Sequence, residues 1–305
     1  ESPSPIPEPA LKPKKVAPNI DLKEVAPAPT PEPPVDPDAQ AEPGSEEPGV
    51  GKAQEDGAPT PEPEPQEQET PEPEDKEPQR ASNLALLGSE VLPGTSTRLG
   101  WSAGIQIAGL SQPTPVLVVN GANAGPTLCL TSTIHGDELN GIEIIRQTMY
   151  DLDPEKLSGA VVGIPIVNLP GFQQGSRYLP DRRDLNRHFP GSTDGSLADR
   201  IAYSLFEKII RHCDMLVDIH TGSLKRTNLP QLRADMNNPT VAEFTRGFDR
   251  MAVVHSTGSS GMLRTAAVNA GIRAVTLEAG ESHRIQEHQI DAGVNSLTSL
   301  MEKQG

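Results

Sequence analysis

The chain has 305 residues, 42 acidic against 26 basic side chains, and a net charge of −16. The imbalance is local: residues 1–80 hold 20 of the acids, 7 of the bases and 21 of the 32 prolines, leaving the other 225 near −3. There is no basic stripe or aromatic–basic interleaving, which argues against nucleic acid as a partner, and no apolar run nears the ~20 residues that span a bilayer.

In chain order the first predicted element is a tail, residues 1–81. It holds no aromatic residue, the first being Trp101. A segment so poor in large apolar groups cannot offset the entropy of ordering and is predicted disordered. Its Pro61-Glu62-Pro63-Glu64-Pro65 and Pro71-Glu72-Pro73-Glu74 repeats favour an extended, self-repelling chain. The sequence opens on Glu1 rather than Met, which reads as removal of an N-terminal piece. With the tail, this favours an exported, periplasmic bacterial protein, a cytoplasmic fragment being the alternative.

Residues 82–305 suit one catalytic domain with its own core. Short Val/Ile/Leu-rich runs predict strands at 105–110, 115–120, 127–134, 160–167, 215–220, 251–255 and 272–278. Helical patterns fall between them at 139–152, 196–212, 240–250, 262–270 and 286–303. The alternation implies an α/β three-layer sandwich, a mixed central sheet flanked by helices, with functional groups at the carboxyl ends of strands. Cys129 lies in the apolar run Thr127–Leu130 and reads as a buried small hydrophobe. Cys213 falls at a predicted helix end, and the spacing of the two calls for no disulfide.

Three predicted strands end in polar groups: His135-Gly136-Asp137-Glu138, then His220-Thr221-Gly222, then Glu278-Ala279-Gly280. A His-x-x-Glu pair is common by chance, and so is a lone His at a strand end. Both together, each closing an apolar strand, point to a metal site. His135, Glu138 and His220 supply three N/O ligands of the kind that suits one Zn²⁺ with an open position for water. Glu278 is then the carboxylate available as general base and acid.

The segment between Val167 and Leu197 is long for a connection and carries Arg177, Arg182, Arg183 and Arg187. Arginines grip carboxylates bidentately; a solvated basic loop is the competing reading of the same residues.

His135-Gly136-Asp137-Glu138-Leu139-Asn140-Gly141, Arg177 with Asp184-Leu185-Asn186-Arg187, Asp218-Ile219-His220-Thr221-Gly222 and Leu277-Glu278-Ala279-Gly280 occur in that order. Together they resemble the succinylglutamate desuccinylase/aspartoacylase family of the zinc carboxypeptidase superfamily. The resemblance implies a zinc carboxypeptidase-like fold, with His135, Glu138 and His220 as ligands and Glu278 as base. It further implies Asp184 orienting His135, Asn186 and Arg187 binding the substrate carboxylate, and Arg177 steadying the oxyanion. Arg183 and Arg182 are rivals for that last role, and Arg183 is a further candidate for substrate binding.

The activity this implies is hydrolysis of the amide of a small N-acyl amino acid with a free carboxylate. Two alternatives stand beside it: a zinc carboxypeptidase or amidase acting on short peptides such as cell-wall stems, and a tethered binding protein that keeps the fold without turnover. Family members usually continue into a C-terminal β-rich domain; here the chain stops at Gly305, which implies either a truncated copy or a more open site.

Overall fold

A computed structural model describes residues 79–103, 106–107, 110–224 and 226–304. Most of the predicted tail lies outside the described residues. Its last three pair with the 122–124 turn, through Ala81 N–H to the Ala122 carbonyl (3.0 Å) and Ala124 N–H to the Gln79 carbonyl (2.7 Å).

The strands are β1 (Leu84–Leu86), β2 (Ser89–Val91), β3 (Thr95–Trp101), β4 (Gln106–Ile107), β5 (Leu110–Ser111), β6 (Thr114–Asn120), β7 (Asn123–Ser132), β8 (Ser158–Ile164), β9 (Met215–Gly222), β10 (Asn228–Ala234), β11 (Ala252–His255) and β12 (Arg273–Glu281). The helices are α1 (Asn140–Asp151), α2 (Leu169–Gln174), α3 (Leu197–Lys208), α4 (Pro239–Thr245), α5 (Leu263–Asn269) and α6 (Glu287–Gln304). Eight strands form a mixed sheet in the order β11-β10-β12-β9-β7-β8-β6-β3. Its centre, β12-β9-β7-β8, is parallel. This is the α/β sandwich expected from the alternation of elements.

Because successive strand residues face opposite sides, each central strand feeds two cores. Leu128 and Leu130 of β7 and Val217 and Ile219 of β9 pack with Ile144, Ile145, Phe244, Leu297 and Leu300 of α1, α4 and α6. Cys129, Leu216 and Ala274 face the other way, towards Ile201, Leu205 and Phe206 of α3 and Leu263 and Ala267 of α5. Each fully buried side chain of this size contributes roughly 1.5–3 kcal/mol. The α3/α5 face is the one that matters for chemistry, since Asp218, His220, Thr276 and Glu278 share its parity on β9 and β12.

Several sequence expectations need correction. The strand expected at 105–110 is split into β4 and β5, which pair with each other and not with the main sheet. β1, β2, β3 and β10 had no apolar signal strong enough to be read. β10 contains Pro230, which a sheet tolerates at an irregularity; its pairing with β12 shifts register between Asn228 and Gln231. The helix expected over 196–212 ends at Lys208 and finishes in a 3-10 turn at Ile210–His212. Cys129 and Cys213 are joined in a disulfide with Cα atoms 5.8 Å apart. Sequence spacing missed it because the two residues, 84 positions apart, meet only through the sheet.

Candidate metal centre and catalytic base

The site forms where β7, β9 and β12 end. After β7 the chain passes through Thr133, a buried residue held at φ 54°, before turning into His135 and Glu138. A positive φ at a non-glycine residue is strained and persists only where its surroundings dictate it. Thr133 is fixed from both sides: its Oγ1 donates to the Glu138 carbonyl (3.2 Å) and its own carbonyl accepts from Asn168 N–H (2.9 Å). Gly136 has no room for a side chain, because a Cβ there would collide with the backbone of Gly171 and Phe172. Helix α2 supplies that backbone. It was missed in the sequence because Leu169-Pro170-Gly171 reads as a turn, yet proline suits a first helical turn. The buried Asn168 caps it, accepting Gly171 N–H at 2.9 Å.

His135, Glu138 and His220 are buried side by side, and a ligand atom from each lies within 4.8 Å of the others. Nδ1 of His135 is 2.9 Å from Glu138 Oε1, Nδ1 of His220 is 2.9 Å from Glu138 Oε2, and the two Nδ1 atoms are 3.2 Å apart. Both outer nitrogens are committed elsewhere. His135 Nε2–H donates to Asp184 Oδ1 (3.1 Å) and His220 Nε2–H to Asp218 Oδ2 (2.7 Å). Carboxylates at Nε2 fix the tautomer that carries its proton there. Two Nδ1 lone pairs then face each other and a carboxylate in a buried site. That arrangement repels itself unless a cation or proton sits between, and the N/N/O donor set fits Zn²⁺.

Asp218 was not singled out by the sequence reading, although a signal existed. It stands two residues before His220 on a strand and therefore on the same face. Thr131 Oγ1 on the neighbouring β7 donates to Asp218 Oδ1 (2.7 Å), so a chain of hydrogen bonds leads from the sheet to the ligand.

Glu278 is paired in register with His220 across β12 and β9. Burial pushes its carboxyl pKa above the ordinary value, with the Glu138 charge adding to the rise and His220 and Arg233 opposing it. Asn228 Nδ2 donates to its Oε2 (2.9 Å), and Arg233 Nε stands 3.2 Å from Oε1 as an ion pair. Both partners lie on β10, the strand that was not foreseen.

Arg177 bridges the cluster to its support, donating from Nη1 to Glu138 Oε1 (3.1 Å) and from Nη2 to Asp184 Oδ2 (3.4 Å). Burial disfavours the Asp184 charge, but the His135 bond and the Arg177 guanidinium hold it well below the usual carboxylate range. Asn186 is buried, and its Oδ1 accepts Leu263 N–H (2.8 Å), which leaves its amide NH₂ as the donor side. Arg187, half-buried, donates from Nη1 to the Asn186 carbonyl (2.9 Å). Arg183 is not brought to the cluster: it is exposed, 3.9 Å from Asp181. Arg182 is also exposed.

The fold and this strand-end cluster define the class, an α/β protein with a His/Glu/His group that could hold a metal, backed by carboxylates. Residues 124–303 match the succinylglutamate desuccinylase/aspartoacylase catalytic domain, and the chain belongs to that family. A stretch of 109 residues is 38% identical to the N-alpha-acetyl-L-2,4-diaminobutyric acid deacetylase of Halomonas elongata, covering 35% of this chain and 32% of that protein. Among solved structures, a succinylglutamate desuccinylase/aspartoacylase from Rhodobacter sphaeroides aligns with TM-score 0.57 and 28% identity, over 64% of this chain and 60% of the other. The product-bound ectoine utilization protein EutE (DoeB) from Ruegeria pomeroyi aligns with TM-score 0.59 and 28% identity, over 64% and 62%. The chain thus spans about a third of the curated relative and about three-fifths of these two structures.

Proposed function

We propose that the chain is a zinc-dependent deacylase that hydrolyses the amide of a small N-acyl amino acid, using one Zn²⁺ held by His135, Glu138 and His220. The observation that carries this reading is the convergence of two imidazole nitrogens and a carboxylate, with a buried second carboxylate, Glu278, in register beside them. When bound, zinc supplies Lewis-acid polarisation of the scissile carbonyl and of the attacking water.

The chain's own residues do the rest. Glu278, its proton affinity raised by burial, takes the proton of the attacking water and delivers it to the leaving nitrogen. Arg177 places positive charge beside the cluster, where negative charge develops on the carbonyl oxygen. The Asn186 amide and the Arg187 guanidinium hold the free carboxylate of the substrate. The deacetylase relative supports a small acyl group on an amino acid as the substrate class.

The Cys129–Cys213 disulfide supports residence in an oxidising compartment such as the periplasm, with the proline-rich tail as a spacer.

The test is metal analysis of the full chain followed by a panel of N-acetyl and N-succinyl amino acids and short peptides. We expect one zinc per chain and turnover of the acylated amino acids. Zinc-loaded protein that cleaves only the peptides would replace the deacylase reading with a peptidase one, and protein that takes up no zinc would sink both.

A further inference from the structure

The strand that carries Glu278 loses its pairing with β9 immediately afterwards, while Gly280 stays paired with Asn228 of β10. β12 pairs with β9 up to Glu278↔His220, and the register shifts before pairing resumes at Glu281↔Gly222. On the β9 side the gap is spanned by two amides outside the chemistry described above. Asn140, fully buried at the start of α1, donates from Nδ2 to the Ala279 carbonyl (2.9 Å) and to Gln286 Oε1 (3.2 Å). Its Oδ1 accepts the Gln286 backbone N–H (2.9 Å), and Gln286 Oε1 also accepts Glu281 N–H (2.9 Å). Between the two anchor points lies Gly280, at φ +82°, where a Cβ would collide with both Gln286 Oε1 and Asn140 Nδ2. The main chain is therefore pressed directly against the pair of amides.

The same loop is fastened to each ligand-bearing segment. His283 N–H donates to the Asp137 carbonyl (2.7 Å), within the turn that holds His135 and Glu138. Ser282 N–H donates to the Gly222 carbonyl (3.1 Å), two residues past His220. Asn140 itself lies two residues after Glu138. The two amides thus connect Ala279, the residue following Glu278, to the start of α1, two residues after Glu138.

We propose that Asn140 and Gln286 are positioning residues for the hydrolysis proposed above, on which this inference rests. Together they hold Ala279–Glu281 in place, and so set where the Glu278 carboxylate stands relative to His135, Glu138 and His220. Asn140 is fully buried and Gln286 half-buried, so losing the shared acceptor leaves the Asn140 amide donor short of a partner away from solvent. The Ala279 carbonyl, at a position that neither β9 nor β10 matches in register, accepts from the Asn140 amide.

The experiment compares Gln286→Leu with Gln286→Glu in the full chain. The leucine removes the acceptor shared by Asn140 and Glu281 but keeps the backbone bond to Asn140; the glutamate restores an acceptor there. We expect Gln286→Leu to lower kcat roughly 10–100-fold, the scale of a displaced catalytic group, with KM within about twofold and zinc content and melting temperature near wild type. Gln286→Glu should recover most of kcat. In cobalt-substituted protein the visible spectrum should shift in the leucine variant and return in the glutamate variant, a readout that needs no substrate. Wild-type kcat and an unchanged cobalt spectrum in Gln286→Leu would overturn the proposal, as would a loss seen only in melting temperature or KM. If the wild-type chain cleaves no N-acyl amino acid, the deacylase reading fails, and the cobalt spectra still decide on the brace.

Discussion

At the scale of single residues, its neighbours decide what each carboxylate of the site does. Glu138 has both oxygens committed to imidazoles, and Asp184 and Asp218 each hold the far nitrogen of a ligand histidine. Glu278 is the one of these four acids left beside the cluster without a histidine bond, supported by Asn228 and Arg233. Replacing Glu278 by Gln keeps the shape and one acceptor oxygen, which can still take the Asn228 amide, while removing proton transfer. We expect zinc stoichiometry unchanged and kcat reduced by roughly a hundredfold to ten-thousandfold; near-normal turnover would take Glu278 out of the mechanism. Asp218→Ala acts on the other side of the proposed zinc site, at His220. Losing the carboxylate that fixes the His220 tautomer should weaken zinc binding roughly 10–100-fold, read by competition with a chelator. Unchanged affinity would mean the strand alone orients His220.

At the scale of elements, what was legible in the sequence follows the strength of the local signal. β7, β9 and β12 are continuous apolar runs closed by His135, His220 and Glu278, so both strands and site were readable from them. β10 reads Asn-Leu-Pro-Gln-Leu-Arg-Ala, where proline and mixed polarity hide a strand that holds Glu278 from one side. The Asn140–Gln286 contact was invisible because its partners are 146 residues apart and nothing local links them. Helix α3 shows a local signal that carries energy. Ser196 Oγ accepts Asp199 N–H (3.2 Å) and Asp199 Oδ2 accepts Ser196 N–H (2.8 Å), a reciprocal cap. The other Asp199 oxygen meets His188 Nδ1 at 2.7 Å. Hydrogen bonds from Ser196 and then His188 lower the Asp199 pKa to about 2. A depressed carboxylate stabilises the fold above its unfolded pKa, near 3.8, and that contribution is lost as pH falls through about 2. Asp199→Ala should therefore cost about 1 kcal/mol at pH 6, and the gap in melting temperature to wild type should narrow by pH 3. A gap of constant size would show that the ionised carboxylate is not what stabilises the cap.

At the scale of the whole molecule, the sheet alone does not tie the end of α3 to the chemistry. The link is covalent. Cys129 sits on β7, upstream of the His135 turn, and Cys213 follows the 3-10 turn after α3, immediately before β9 carries the chain to His220. The bond joins the later half of β7 to the segment just before β9, the two strands that lead to His135 and His220, and it closes a loop of 84 residues that contains His135, Glu138, Arg177, Asp184 and Arg187. Closing so long a loop restricts the unfolded chain, and native disulfides of this kind contribute about 2–4 kcal/mol. Because both sulfurs are buried on the α3/α5 face, the paired alanine variant also leaves a small cavity there. For Cys129→Ala/Cys213→Ala we expect a melting temperature lower by roughly 5–15 °C, with zinc content and kcat retained at 25 °C because the ligand turns are braced independently. Titration of the denatured, unreduced wild-type protein should find no free thiol. Two free thiols, together with a variant as stable as wild type, would remove the cross-link from the fold and with it the support for an oxidising compartment.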